Sequence, residues 1–122
     1  MACIMVIDDQ PLVRASLSFV LRRENHVVLE AAGGEEAIAL YRDKRPSIVI
    51  TDIIMPGMDG FGAISELRKF SPCPKIIAVS GGGRSEPQDV LKKAKTLGAN
   101  ATISKPIDVK DLIAAVNELL SS

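Results

Sequence analysis

Three short apolar runs in this sequence each stop at a polar group able to do chemistry. Cys3–Ile7 runs into Asp8 and Asp9, Ser47–Thr51 into Asp52, and Ala101–Ser104 into Lys105. Ser80 closes a fourth such run. Two adjacent carboxylates repel each other unless a cation sits between them. Their donors are oxygens only, and no His or Cys ligand set accompanies them, so Mg²⁺ suits the pair better than zinc. Mg²⁺ takes one or two carboxylates, keeps several waters and binds phosphate oxygens. Asp52 extends the possibilities, because a carboxylate can also be a nucleophile that forms an aspartyl-phosphate. Taken singly, each residue also has a plain structural reading. Asp9 could cap the helix after Pro11, Asp52 could be a loop acid, Lys105 a solvated lysine beside a turn proline, and Ser80 a local backbone partner. Those readings would all have to hold together at four strand ends, which is improbable.

The elements that must position these groups alternate along the chain. Strands are predicted near 3–7, 26–31, 47–51, 75–79 and 101–104, and helices near 11–24, 34–45, 60–70, 86–97 and 108–120. Alternation of this kind builds strand–helix crossovers and a parallel sheet. Runs such as Ile48-Val49-Ile50 and Ile76-Ile77-Ala78-Val79 are continuously apolar, as strands covered on both faces must be. In an open parallel sheet, reacting groups collect beyond the carboxyl ends of the strands, where all these polar residues would lie. Pro11 suits a first helical turn, and Asp108 with Asp111 can cap the last helix. Ser85 with Gln88 can cap the fourth helix and Gly98 can close it. Pro46, Pro56, Pro72 and Pro74 fall between elements. Gly81-Gly82-Gly83 is a loop with more backbone freedom than a simple turn needs.

At 122 residues the chain fits one domain, 1–122, with no room for an output domain. Fifteen basic and fifteen acidic residues cancel, so the overall charge offers nothing to nucleic acid or an anionic membrane. No apolar stretch approaches the roughly 20 residues a bilayer crossing needs. The N-terminus lacks a charged region and cleavage site of the secretory kind, and a cytoplasmic location is expected. Cys3 and Cys73 have no paired spacing and are expected to be free thiols.

In combination these residues resemble the receiver domain of the two-component response regulators, in the manner of a stand-alone chemotaxis regulator. The resemblance covers the whole length. It rests on Asp8-Asp9, on Asp52-Ile53-Ile54-Met55-Pro56-Gly57-Met58-Asp59-Gly60, on Ser80-Gly81 and on Lys105-Pro106. It implies an α/β fold of the flavodoxin-like, doubly wound kind: a five-stranded parallel sheet of order 2-1-3-4-5 with five helices. It also implies that Asp52 accepts a phosphoryl group from a histidine kinase or histidine phosphotransfer protein. Asp9, Asp52 and the backbone carbonyl of Ile54 would ligate Mg²⁺, with Asp8 acting largely through water. Lys105 would pair with the phosphoryl oxygens, Ser80 would hydrogen-bond them, and the Gly81 backbone would contact them. The Lys105–Pro106 peptide is expected to be cis. Such a protein is a switch rather than an enzyme, catalysing only its own phosphorylation and dephosphorylation. The start at Met1 and a last helix reaching almost to Ser122 lead to the expectation of a stand-alone regulator rather than a piece of a larger protein.

Two positions depart from the family pattern. Many receivers carry an aromatic residue three positions before the lysine, where this chain has Thr102. Signalling is therefore expected to run through Ser80–Arg84 and the start of the next helix. Ile54, two residues after the acceptor, is apolar at a position that influences how readily water reaches the phosphoryl group. His26 has no partner that would make it catalytic, and Lys92, Lys93 and Lys95 form a solvated face or, alternatively, a protein contact. Two rival functions could use the same residues. A Mg²⁺-dependent aspartyl-phosphate phosphohydrolase would need a second acid and a substrate pocket, for which the compact loops leave little room. A phosphorylation-independent interaction module would not need Asp8, Asp9, Asp52 and Lys105 intact.

Overall fold

The computed structural model describes residues 2–55, 57–80 and 87–121. Strands β1 (Cys3–Ile7), β2 (Val27–Ala31), β3 (Ile48–Asp52), β4 (Lys75–Ser80) and β5 (Ala101–Ser104) alternate with helices α1 (Pro11–Arg23), α2 (Gly34–Lys44), α3 (Gly60–Leu67), α4 (Pro87–Leu97) and α5 (Val109–Ser121). The strands form one sheet of order β2-β1-β3-β4-β5, and every pairing is parallel. The expected flavodoxin-like topology is therefore present.

Alternating side chains of each strand serve opposite faces. Met5, Ile7, Val49, Ile76 and Ala78 pack with Ala37, Ile38, Tyr41, Ile64, Leu67 and Ala94, on the side of α2, α3 and α4. Ile4, Val6, Ile48, Ile50, Ile77 and Val79 pack with Leu17, Leu21, Leu112 and Val116 of α1 and α5. Two cores, one on each face, explain why the central strands β1, β3 and β4 carry continuous apolar runs. Removing a side chain such as Ile50 or Ile77, both essentially inaccessible to solvent, would leave a cavity costing about 2–5 kcal/mol when truncated to Ala.

The punctuation accounts for most boundaries. Pro11 sits in the first turn of α1. Asp108 Oδ1 accepts the Lys110 N–H at 2.8 Å at the start of α5. Gly98 adopts φ +123° after α4, a region that penalises other residues. Small differences have local causes. The second strand begins at Val27 because the His26 N–H is committed to Leu21 O, closing α1. The third helix ends at Leu67, three residues early, where Lys69 and Phe70 donate to Glu66 and Leu67 in tightening turns. Asp52 is the last residue of β3, in register with Val79, rather than the residue beyond it. Pro56, the Ser85 cap and the Gly81–Gly83 loop lie outside the described residues. No described helix is long and apolar enough to cross a membrane.

Candidate functional site

The site is built where β1, β3, β4 and β5 end. Asp8 follows β1, and its N–H donates to Ala31 O at 3.1 Å, carrying the β1–β2 ladder one residue further. Its Oδ1 accepts the Gln10 N–H at 2.9 Å. This bond closes a local turn ahead of α1; the N-cap residue is Gln10 rather than Asp9, and it makes no side-chain cap bond. Asp9 is half-buried. Lys105 follows β5, and its N–H donates to Ser80 O at 2.9 Å, extending the β4–β5 ladder in the same way. The Lys105–Pro106 peptide is cis.

Asp52 lies between these two elements. It is 5% exposed. Its Oδ1 accepts the Ile53 N–H at 2.9 Å, and its Oδ2 accepts from Lys105 Nζ at 3.2 Å. The same ammonium lies 3.6 Å from Asp8 Oδ2, so one cation serves two buried carboxylates. Burial pushes the Asp52 carboxyl above the usual carboxylate range. The charge and hydrogen bond of Lys105 oppose that rise, Asp8 adds to it, and the Ile53 N–H opposes it. Asp52 is therefore held as a poorly solvated carboxylate by Lys105.

Asp8, Asp9 and Asp52 each offer a carboxylate oxygen, all within 4.8 Å of one another. Two oxygens on opposite sides of one Mg²⁺ would stand about 4.1 Å apart. With all-oxygen donors and Asp9 open to solvent for additional waters, these residues fit that ion. Ser80, 3% exposed, ends β4 one position beyond the Asp52–Val79 pair and opposite Ser104. Ile54 projects a side chain that is 67% exposed. The structure thus brings Asp8, Asp9, Asp52, Ser80 and Lys105 to the carboxyl ends of the strands. Gly81 lies outside the described residues.

Several residues support the site in ways the sequence did not show. Gly60 opens α3 against the backbone of the acceptor segment: its N–H donates to Ile53 O at 2.8 Å. A Cβ there would collide with Asp52 O and stand 2.5 Å from Ile53 Cα. Asp59 caps the same helix by accepting the Gly62 N–H. Thr51, fully buried, donates to Asp52 O at 2.9 Å. Arg14 donates to the carbonyl oxygen of Asp8. Only the Asp-Gly pair at 59–60 carried a local signal, that of a turn opening a helix.

Other candidates stand apart from the site. His26 Nδ1 accepts the Ala2 N–H at 3.2 Å. Both cysteines are free thiols. Lys92, Lys93 and Lys95 are all exposed, as a solvated face requires, and Lys93 Nζ lies over the Phe61 ring at 4.5 Å. Lys92 and Lys95 line a groove with Leu91, Thr96 and Thr102.

Comparison with known proteins gives the family and the fold. The response regulator receiver domain family matches residues 4–117. Protein PilH of Pseudomonas aeruginosa is 32% identical over 121 residues, covering 99% of both chains. The chemotaxis protein CheY of Halobacterium salinarum is 32% identical over 119 residues, covering 98% of this chain and 97% of its own. A putative response regulator from Chloroflexus aurantiacus superposes with a TM-score of 0.91 at 26% identity, covering 99% of this chain and 98% of its own.

Proposed function

Because this chain belongs to the response regulator receiver domain family, we propose that it is a phosphorylation-controlled switch of two-component signalling in which Asp52 is the phosphoryl acceptor. The observation that carries this reading is Asp52 itself: a buried carboxylate with Lys105 on one oxygen and two further carboxylates within metal-sharing distance.

The chemistry follows from charge. Asp52 attacks a phosphohistidine of a histidine kinase or histidine phosphotransfer protein. A bond forms from the Asp52 carboxylate oxygen to phosphorus, the phosphorus–nitrogen bond breaks, and the electron pair returns to the imidazole. Little covalent chemistry is asked of the protein beyond alignment and charge neutralisation. Asp8, Asp9 and Asp52, with the Ile54 carbonyl, would hold Mg²⁺, which supplies charge neutralisation at the phosphoryl oxygens. Lys105 moves its ion pair from Asp52 Oδ2 to the incoming phosphoryl oxygens. The Ser80 hydroxyl donates to those oxygens from the adjacent strand end. Hydrolysis of the acyl phosphate resets the switch, which acts by binding a protein partner.

Labelling with acetyl phosphate and Mg²⁺, read by intact mass, tests this. Wild type should gain one phosphoryl group and Asp52→Asn none. Labelling that survives Asp52→Asn would exclude Asp52 as the acceptor, and steady-state turnover of phosphate esters would make the protein a phosphohydrolase instead.

A further inference from the structure

Arg14 does not face the phosphoryl chemistry, yet it holds the peptide that joins the two acids. Its Nη1 donates to the carbonyl oxygen of Asp8 at 2.7 Å. Its Nε donates to Glu30 Oε1 at 3.2 Å. Glu30 stands on β2 in register with Val6, and its other oxygen lies 3.5 Å from Arg22 Nη2. The Arg14 side chain is only 19% exposed, so the guanidinium is clamped between a strand and the main chain at the site.

That clamp acts on one degree of freedom. Asp8 is already fixed through its N–H to Ala31 and its Oδ1 to Gln10. The plane of the Asp8–Asp9 peptide sets the direction in which the Asp9 carboxylate leaves the chain. Asp9 finds no hydrogen-bond or ion-pair partner of its own among the described residues. We infer that Arg14 is a positioning residue for the metal site: by holding the Asp8 carbonyl it aims Asp9 at Asp52. This rests on the reading of Asp8, Asp9 and Asp52 as a Mg²⁺ site.

Charge and positioning act on Mg²⁺ binding with opposite signs. Arg14 is a cation close to a cation site, so deleting it should by Coulomb's law alone strengthen Mg²⁺ binding. If its role is to aim Asp9, deletion weakens binding instead. Groups that orient metal ligands from outside typically change affinity by about 10–100-fold when lost.

Calorimetric titration of the full chain with Mg²⁺ separates the possibilities. Arg14→Ala is expected to bind about tenfold more weakly than wild type, Arg14→Lys to recover part of the loss, and Arg23→Ala, a charge lost from the same helix, to bind as wild type does. In the metal-free protein, the Asp9 and Gln10 amide resonances should shift in Arg14→Ala and not in Arg23→Ala. Should Arg14→Ala fail to fold by circular dichroism, Arg14→Gln is judged by the same criterion. Undiminished or tighter binding by the neutral variant overturns the positioning role alone. Failure of wild type to bind Mg²⁺ overturns the metal site and this inference with it.

Discussion

Lys105 and Asp52 meet across an intervening strand: Nζ stands 3.2 Å from Oδ2 although 53 residues separate them in sequence. β4 lies between their strands, so the lysine stem must reach over the end of β4, past Ser80. One ammonium thus faces two buried carboxylates, Asp52 at 3.2 Å and Asp8 at 3.6 Å, and it opposes the rise that burial imposes on the Asp52 carboxyl.

Replacing Lys105 with Met keeps the stem and removes the charge. Asp8 and Asp52 are then buried acids without their counter-ion, and the fold should lose about 2 kcal/mol at neutral pH. Urea denaturation reads that loss. Phosphorylation by acetyl phosphate should slow by about 10²-fold, the scale of removing one preorganised charge-stabilising donor.

Asp52→Asn should have the opposite effect on stability. For an acid whose folded pKa is raised, the folded state binds protons more readily than the unfolded state, so stability falls as pH rises through the folded pKa. The penalty is complete above that pKa and disappears below the ordinary aspartate range. Asn carries no such penalty, so its melting temperature should exceed wild type by a few degrees at pH 7. Thermal melts should converge below about pH 4.

Mg²⁺ should raise the melting temperature of wild type, since it binds the folded site and not the unfolded chain. At a hundredfold excess over the dissociation constant the gain is about 2.7 kcal/mol. Scanning calorimetry of Asp9→Asn combined with Asp52→Asn should show little of it. An equal gain in that variant would place the ion elsewhere.

Gly60→Ala should cost about 1–3 kcal/mol, because the added methyl meets backbone rather than a flexible side chain. Relief requires α3 to back away from the Asp52–Ile53 segment. A chemical melt should register the loss, and the Asp52 and Ile53 amide resonances should shift more than those of β1.

Much of the site was legible in the sequence because its residues sit at the ends of strands that announce themselves. Asp8, Asp9, Asp52, Ser80 and Lys105 each follow or close an apolar run, and a parallel sheet with two covered faces forces such ends together. The supporting residues were not legible, for a physical reason. Arg14 reads as one polar position on an amphipathic helix, and its partner Glu30 becomes visible only once β1 and β2 are set in register. Gly60 matters through a close backbone approach that no spacing reveals. The reading of Asp9 as a cap failed because Gln10, immediately before Pro11, takes the N-cap position.

The parallel sheet has a practical corollary for protein engineering. Every return from a helix to the next strand, at residues 24–26, 45–47, 68–74 and 98–100, turns at the end of the molecule remote from Asp52. Insertions there lengthen surface turns at an entropic cost that grows only slowly with length. A fluorescent tag or tether spliced beside Asn25, where the chain already takes a left-handed turn, would report on the protein without crowding the acceptor.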